Sequence, residues 1–461
     1  MAPLRVLVAG AGVGGLALAV GLRARGIAEV LVFEREKSLQ SAAARSSALA
    51  LAPNGVAVLR ALAPALHLDD AVAAAGEPQT HSAFRFGDAT ARSPPALKSE
   101  ADAAHRFGAL TVMVRWRALT QLLAAALPAG VVVLDAALAS FERLPDGRVR
   151  ATVTSRDGRT TQTHEADVLV GADGVRSVVR AQLLGTHDPP PRDGGRVVWR
   201  AVVPTSPALE AFCPRGSSFM LASPDEGKTL TMMCASALRG LLCAEPRLNK
   251  TFRTGRHVGG QEFYWAIGCL DAGVKSPADG DGAGDPAATA ALTFASWPAA
   301  QAALQATPPG GVLQQRVVDR PPLQPQALQR AGPVTLLGDA LHAMIPSLGH
   351  GAASALEGAL ELAQCLASVP AAEDGKLRAA LRRYEAARLA RASAIQLRSH
   401  ASGAVSYGLE DGGADATAPV EEPAAAEEAP PLRLDDAAFR DWLLRYASPH
   451  AEAMPMHELR V

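Results

Sequence analysis

The stretch VLVAGAGVGGLALAVGLRARG, Val6 to Gly26, decides how the chain is read. From Val6 to Leu22 it carries no charge, and behind Met1 and Arg5 it has the outline of a secretion signal. Its glycines argue for a different structure. Leu4 to Val8 is short, apolar and rich in branched residues, as suits a buried parallel strand, and it runs into Gly10-Ala11-Gly12-Val13-Gly14-Gly15. In such a loop Gly10 permits a tight turn and Gly12 lets the backbone approach a pyrophosphate. Gly15 lets the next helix, expected over Leu16 to Arg25, pack on the strand with its N-terminus towards the phosphates. A second strand is expected over Glu29 to Phe33, and Glu34 ends it about 20 residues past the loop, where an acid accepts a hydrogen bond from a ribose 2′-hydroxyl. An acid there favours FAD or NAD over NADP. Strand, glycine loop, helix, second strand and terminal acid in one unit define a dinucleotide site of unspecified kind.

Composition narrows the class. The 461 residues are 48% hydrophobic, enough for two or three packed units without disulfides. Lys and Arg number 45 against 46 acidic residues, and no block of like charge makes a nucleic-acid or anionic-membrane footprint, so neither partner is expected. Cys213, Cys234, Cys243, Cys269 and Cys365 are scattered without metal or dithiol spacing and read as buried or free thiols in a reducing compartment. Beyond the opening stretch no run approaches the ~18 apolar residues of a membrane helix, so a cytoplasmic protein without a membrane span is expected.

Further along, Pro53-Asn54-Gly55 reads as a turn before a short apolar helix, and Trp116 to Leu127 as a helix entered at Arg115. Val131 to Leu134 and Val149 to Thr154 have strand character, with hairpin turns at Asp146-Gly147 and Asp157-Gly158. Ala166 to Arg180 repeats the passage from strand to glycine turn, Gly171-Ala172-Asp173-Gly174, and on to a helix carrying Arg176 and Arg180. From Arg196 to Ala266 shorter, alternating runs indicate an antiparallel sheet buried on one face, hence a second domain. Residues 274–290 read as a surface loop. Val334 to Leu337 returns to a buried strand ended by Gly338-Asp339, and Gly349-His350-Gly351-Ala352 opens another helix. Leu377 to Ser399 is expected as a helix whose arginines form a solvated face, and a final helix falls around Phe439 to Tyr446.

Three dispersed motifs stand together: Gly10 to Gly15 with Glu34, GADG at Gly171 to Gly174, and LLGDALHAMIPSLGHGA at Leu336 to Ala352. In this order and spacing the chain resembles the FAD-dependent aromatic hydroxylases, single-component flavoprotein monooxygenases of the salicylate and para-hydroxybenzoate hydroxylase type. The resemblance covers Leu4 to Ser399 and extends to LAPNGVAVLRAL, VVWRAVVP, SWP at Ser296 to Pro298 and YEAARLARA at Tyr384 to Ala392. It implies an α/β fold: a Rossmann-like FAD-binding domain in three pieces (1–75, 105–185, 325–370) interleaved with an antiparallel-sheet substrate domain (76–104, 186–324). C-terminal helices follow at 371–408 and 433–461, separated by an acidic, Pro/Ala-rich linker at 409–432.

The resemblance also assigns residues. Gly10, Gly12, Gly14 and Gly15 would hold the FAD pyrophosphate, and Glu34 with Arg35 the adenosine end. Arg45 and Arg115 would lie near flavin and pyrophosphate, Arg117 competing with Arg115. Asp173 would serve FAD and NAD(P)H, Gly338 and Asp339 the ribityl chain, and Pro346, Gly349, Gly351 and Ala352 the isoalloxazine edge. NAD(P)H would reduce the flavin, and a flavin C4a-hydroperoxide formed with O2 would pass one oxygen to a small hydrophobic or aromatic substrate in a dry site. No protein nucleophile is required, and His350 is the one candidate for a chemical role, at a position where the family has Gln. His342 is expected to pack and hydrogen-bond, and Met344, Phe219, Met232, Tyr264 and Trp265 are either pocket or core. Zeaxanthin epoxidases carry similar motifs, which leaves open an epoxidase of an isoprenoid alkene. Three departures, His350, Ser46 to Leu49 where the family has glycines and Gly358 where it has an acid, leave open an FAD-binding protein without turnover. NADH against NADPH, and oligomeric state, are not readable.

Overall fold

A computed structural model describes residues 3–39, 47–87, 97–235, 262–271, 285–328, 331–369, 374–407 and 436–446. Arg45, the linker 409–432 and most of the loop before Pro286 lie outside the described residues. The end of that loop is helical: Asp285 accepts from the Ala287 N–H (3.1 Å) and starts the helix Pro286–Thr293.

The first strand, Arg5–Ala9, lies at the centre of a five-stranded sheet. Val168–Gly171 and Val334–Leu336 follow on one side, Glu29–Phe33 and Val132–Val133 on the other, and every pairing is parallel. Val6, Val8, Val32, Leu169 and Val334 are fully buried, which is why these strands read as unbroken apolar runs. The helix Val13–Ala24 begins earlier than expected, because Gly12 is already its N-cap. Val13 to Leu22 are all buried, between the sheet and the helix Gly351–Ala367. The stretch therefore looks like a secretion signal because the helix is covered on every side.

Beside this sheet the strands Ala137–Arg143, Val149–Thr154 and Thr161–Ala166 form an antiparallel meander, turning at the two Asp-Gly pairs as expected. Pro53-Asn54-Gly55 is not a preceding turn but the first turn of the helix Pro53–Leu62, proline taking the position where no backbone N–H is needed.

The second sheet has seven strands in the order Leu313–Asp319, Arg192–Pro204, Glu262–Leu270, Lys228–Ala235, Ser217–Ser223, His81–Phe86, Lys98–Ser99. It is not wholly antiparallel. His81–Phe86 runs parallel to Ser217–Ser223, because it arrives from a segment far earlier in the chain. One face, with Trp199, Phe219, Met232 and Trp265, is sealed by the helices Pro286–Thr293 and Pro298–Gln305. Phe219, Met232 and Trp265 stand in one cross-strand row, so they are core and not pocket. The opposite face, with Val198, Arg200, Val202, Thr231, Tyr264 and Ala266, stays partly exposed and is turned towards the parallel-sheet unit. Two contacts fix that orientation. Arg115 grips Glu262 at one end, and Thr229 Oγ1 donates to the Tyr407 hydroxyl (3.0 Å) at the other. The long helix Asp374–Ser406 and the terminal helix Asp436–Leu444 complete the fold, and no described helix is long and apolar enough to cross a membrane.

A Cβ on Gly15 would overlap the Gly10 carbonyl oxygen and press on Val8. Gly15→Ala is therefore expected to destabilise the protein by about 1–3 kcal/mol in urea denaturation; an unchanged midpoint would show that the helix does not approach the strand so closely.

Candidate functional site

Neighbouring parallel strands deliver the three motifs to one place. Ala9 pairs with Gly171 and Gly171 with Leu336, so the loops that follow all emerge at the carboxyl edge of the sheet, where open α/β sheets form ligand crevices. Gly10 has φ +107° and donates its N–H to Phe33 O (2.8 Å), a turn closed to other residues. Gly12 is different: nothing lies within 4 Å of where its Cβ would be, and the helix it opens has no side-chain cap. The first-turn N–H groups thus face open space with their dipole unanswered, which suits an anion. Gly14 packs against Ala355 and Leu337, so its missing side chain serves helix packing.

Glu34 lies at the end of its strand as expected. Its Oε2 accepts from the Ala11 N–H (3.0 Å) and its Oε1 from the Glu36 N–H (3.0 Å), so the glycine loop itself orients the carboxylate. Arg35 extends into solvent, 68% exposed. Asp173 shares the start of the helix Val178–Leu184 with its N-cap Ser177: Asp173 accepts from Ser177 Oγ (2.5 Å) and from the Val178 (2.7 Å) and Val179 (3.2 Å) N–H groups, and Ser177 Oγ accepts from the Arg180 N–H (2.9 Å). Arg176 is exposed, while Arg180 is fully buried. Arg180 pairs with Asp188 and donates to Ala340 O (3.2 Å) and Leu341 O (3.0 Å), binding the second motif to the third.

In that third motif Asp339 is open to solvent yet surrounded by protein, and desolvation raises its carboxyl pKa, as at the floor of a cleft. Pro346 and Gly349 are exposed and Gly351 and Ala352 half-buried, at the start of a helix that again lacks a side-chain cap. His350 is buried. Its Nδ1 donates to Leu348 O (2.8 Å), which leaves Nε2 unprotonated and without a partner, and burial lowers its pKa. The ring is thus a neutral brace for the loop. His342 packs as expected, but neither ring nitrogen has a hydrogen-bond partner, and burial, aided by the charge of Arg388, pushes its pKa down to about 3. Arg115 is half-buried in a bidentate pair with Glu262 (both 2.6 Å), whereas Arg117 points to solvent.

Several supporting residues carried no sequence signal. Gln396 donates to Ala343 O (3.0 Å), Ser399 Oγ to Ile345 O and Ser347 Oγ to Ser399 O, so the long helix holds the loop from behind. That helix does not present all its arginines to water. Arg388 is fully buried and donates to Glu357 (3.0 Å), as do Arg391 (2.7 and 2.8 Å) and Asn54 (2.8 Å). Desolvation of Glu357 is outweighed by the arginines, chiefly Arg391, and its pKa is held at about 2. The clue was Glu357 itself, an acid on the apolar face of its helix, which needs a buried cation.

The sequence profile of the FAD binding domain matches residues 3–244 and 326–399. The aurachin C monooxygenase/isomerase of Stigmatella aurantiaca is 32% identical over 398 residues, 85% of this chain and 86% of its own. The 3-amino-4-hydroxybenzoate 2-monooxygenase of Streptomyces cremeus is 32% identical over 406 residues, 86% of each chain. Among solved structures, Klebsiella pneumoniae HpxO complexed with FAD and uric acid superposes with a TM-score of 0.68 at 26% identity, covering 88% of this chain and 89% of its own.

The buried His342 makes a pH prediction. Unfolded, the imidazole binds a proton below about pH 6.5, whereas the folded ring stays neutral to about 3. The unfolded state binds more protons across that window, so this group costs about 1.4 kcal/mol of stability per unit as pH falls. Urea titrations at pH 7, 6 and 5 should show the decline, and His342→Leu should flatten it; an equal slope in the variant rules out a buried neutral ring.

Proposed function

This chain belongs to the FAD-dependent aromatic hydroxylase family, and from that membership we propose that it uses NAD(P)H and O2 to insert one oxygen atom into a small aromatic substrate. The observation that carries the reading is the pair of uncapped, open helix starts, at Gly12 and at Gly351, on one edge of the parallel sheet. Two such starts suit a ligand with two separated anionic groups: a pyrophosphate and a reduced flavin ring.

On this reading Gly10, Gly12 and the first-turn N–H groups up to Gly15 receive the pyrophosphate. Glu34, already oriented by Ala11, keeps lone pairs for ribose hydroxyls, with Arg35 at the outer adenosine end. Asp173 shapes the turn beside them, and Gly338 and Asp339 meet the ribityl chain from the cleft floor. The backbone from Pro346 through Gly349 and Gly351 to Ala352 borders the ring, its helix dipole stabilising negative charge there. Bound FAD supplies the chemistry that takes two electrons from NAD(P)H and activates O2.

The protein's own work is orientation and dryness. The open face of the second sheet, with Val198, Val202, Tyr264 and Ala266, offers an apolar floor for an aromatic ring. Arg200 is held there by Gln315 (2.8 Å) and stands beside Tyr264, the polar handle on that floor. His350, neutral and braced on Leu348, keeps the loop shape and acts as a positioning residue.

Gly12→Val tests the assignment with little disturbance of the fold, since the backbone is extended there (φ −73°, ψ −178°) and the space is empty. The variant is expected to unfold within about 1 kcal/mol of the parent but to purify colourless, while the parent is yellow and oxidises NAD(P)H faster with an aromatic substrate. A yellow Gly12→Val protein overturns the pyrophosphate site.

A further inference from the structure

The match to the family ends at residue 399, yet a later element reaches the loop assigned to the flavin. On the terminal helix Asp436–Leu444, Phe439 and Leu443 form a cluster with Ile395, and Met344, Leu348 and Trp442 pack against it. Met344 and Leu348 are the residues that flank Ile345-Pro346-Ser347. The helix is tied down on both sides. Leu444 joins Ala52 and Phe107 in a second cluster, and Asp441 pairs with Arg106. Towards the long helix, Arg391 stacks on Trp442 (4.3 Å) and Tyr446 (4.7 Å), and donates to Leu443 O (2.9 Å) while it holds Glu357. Arg398 lies over Phe439 (5.4 Å), and the Tyr446 hydroxyl donates to Glu361 (3.3 Å).

The loop is therefore held on two sides: by Gln396 and Ser399 of the long helix, and by the apolar face of the terminal helix. We propose that the terminal helix positions the Met344–Leu348 loop, with Phe439 and Trp442 as its positioning residues, and so sets the fraction of NAD(P)H consumption that ends in oxygenated product. The inference rests on the monooxygenase reading. Coupled turnover takes NAD(P)H, a proton and O2, puts one oxygen atom on the substrate and releases the other as water. When water enters a loosened site the same two electrons leave as hydrogen peroxide, O2 being reduced and NAD(P)H oxidised without product. Without the helix, Met344 and Leu348 lose their cover, and the loop's outer side becomes accessible to solvent.

The test compares the full chain with a chain ending at Tyr407 and with Phe439→Ala, Trp442→Ala and Trp442→Phe. Amide exchange across residues 344–350, the visible spectrum of bound flavin and the peroxide formed per NAD(P)H are measured. Expected are about tenfold faster exchange, a shifted flavin band and a higher peroxide fraction in the truncated chain and both alanine variants, with Trp442→Phe restoring the parental values. Unchanged exchange, spectrum and peroxide fraction in the alanine variants overturn the proposal, even if the truncated chain fails to fold. Faster exchange with an unchanged spectrum and peroxide fraction also overturns it, because the helix would then support the fold alone. If the full chain binds no FAD, the monooxygenase reading fails instead, and the exchange at 344–350 alone decides whether the helix holds the loop.

Discussion

The first helix rests on the first strand only because Gly15 brings no side chain to the Gly10 carbonyl, and the edge where the three motifs meet depends on that close approach. It aims the Gly12 helix start at the edge of the sheet where the chain reverses direction. With Arg5–Ala9 central, the strands ending at Gly171 and Leu336 lie immediately beside it. Three loops far apart in sequence are then neighbours, each leaving the sheet in the same direction. A side chain at Gly15 would meet that carbonyl, so the helix could not keep this approach to the strand.

Irregular backbone at such an edge needs outside partners for its carbonyl groups, since buried unpaired ones are costly. They come from distant side chains: Arg180 serves Ala340 and Leu341, Arg320 serves Val175 (2.7 Å), Gln396 serves Ala343 and Ser399 serves Ile345. Behind them Glu357 is gripped by Arg388 and Arg391 without exposure to water. Such a network adds little stability over an apolar core, but it is costly to break and tolerates one arrangement of its helices. The terminal helix uses the same Arg391, so the outer cover and the inner network share a side chain.

Much of the fold was legible in local pattern. The unbroken apolar strands, the glycine turns at Gly10 and Gly174 and the two Asp-Gly hairpins follow from neighbouring residues alone. The sheet that faces them was less legible. Alternation puts Tyr264 and Trp265 on opposite faces of their own strand, but that Phe219, Met232 and Trp265 share one face follows only from the pairing register, and which face the helices cover only from the packing. Nor does alternation show that His81–Phe86 joins in parallel, since that pairing lies between segments with no local relation. At the sheet edge, Glu34 ends its strand and Asp339 follows the third strand as their sequence positions indicate, while Asp173 has a capping duty that its motif does not disclose. Arg388 and Arg391 were misread as solvated because charge in a helical sequence is ordinarily surface, and only the facing Glu357 reverses that.

The sequence by itself determined the dinucleotide-binding unit, the order of three motifs that marks the family, and the flavin such motifs hold. These depend on short-range constraints: which residues allow a positive φ, a close backbone approach or an uncapped helix start. Tertiary structure alone decided which arginines are buried, which face of the second sheet looks at the parallel-sheet unit, and that a helix beyond the family match packs on the Met344–Leu348 loop. Those are contacts between separate segments, from 31 residues apart for Arg388 and Glu357 to 147 for Arg115 and Glu262, and they are set by competition for buried area and for charge partners, which no local pattern records.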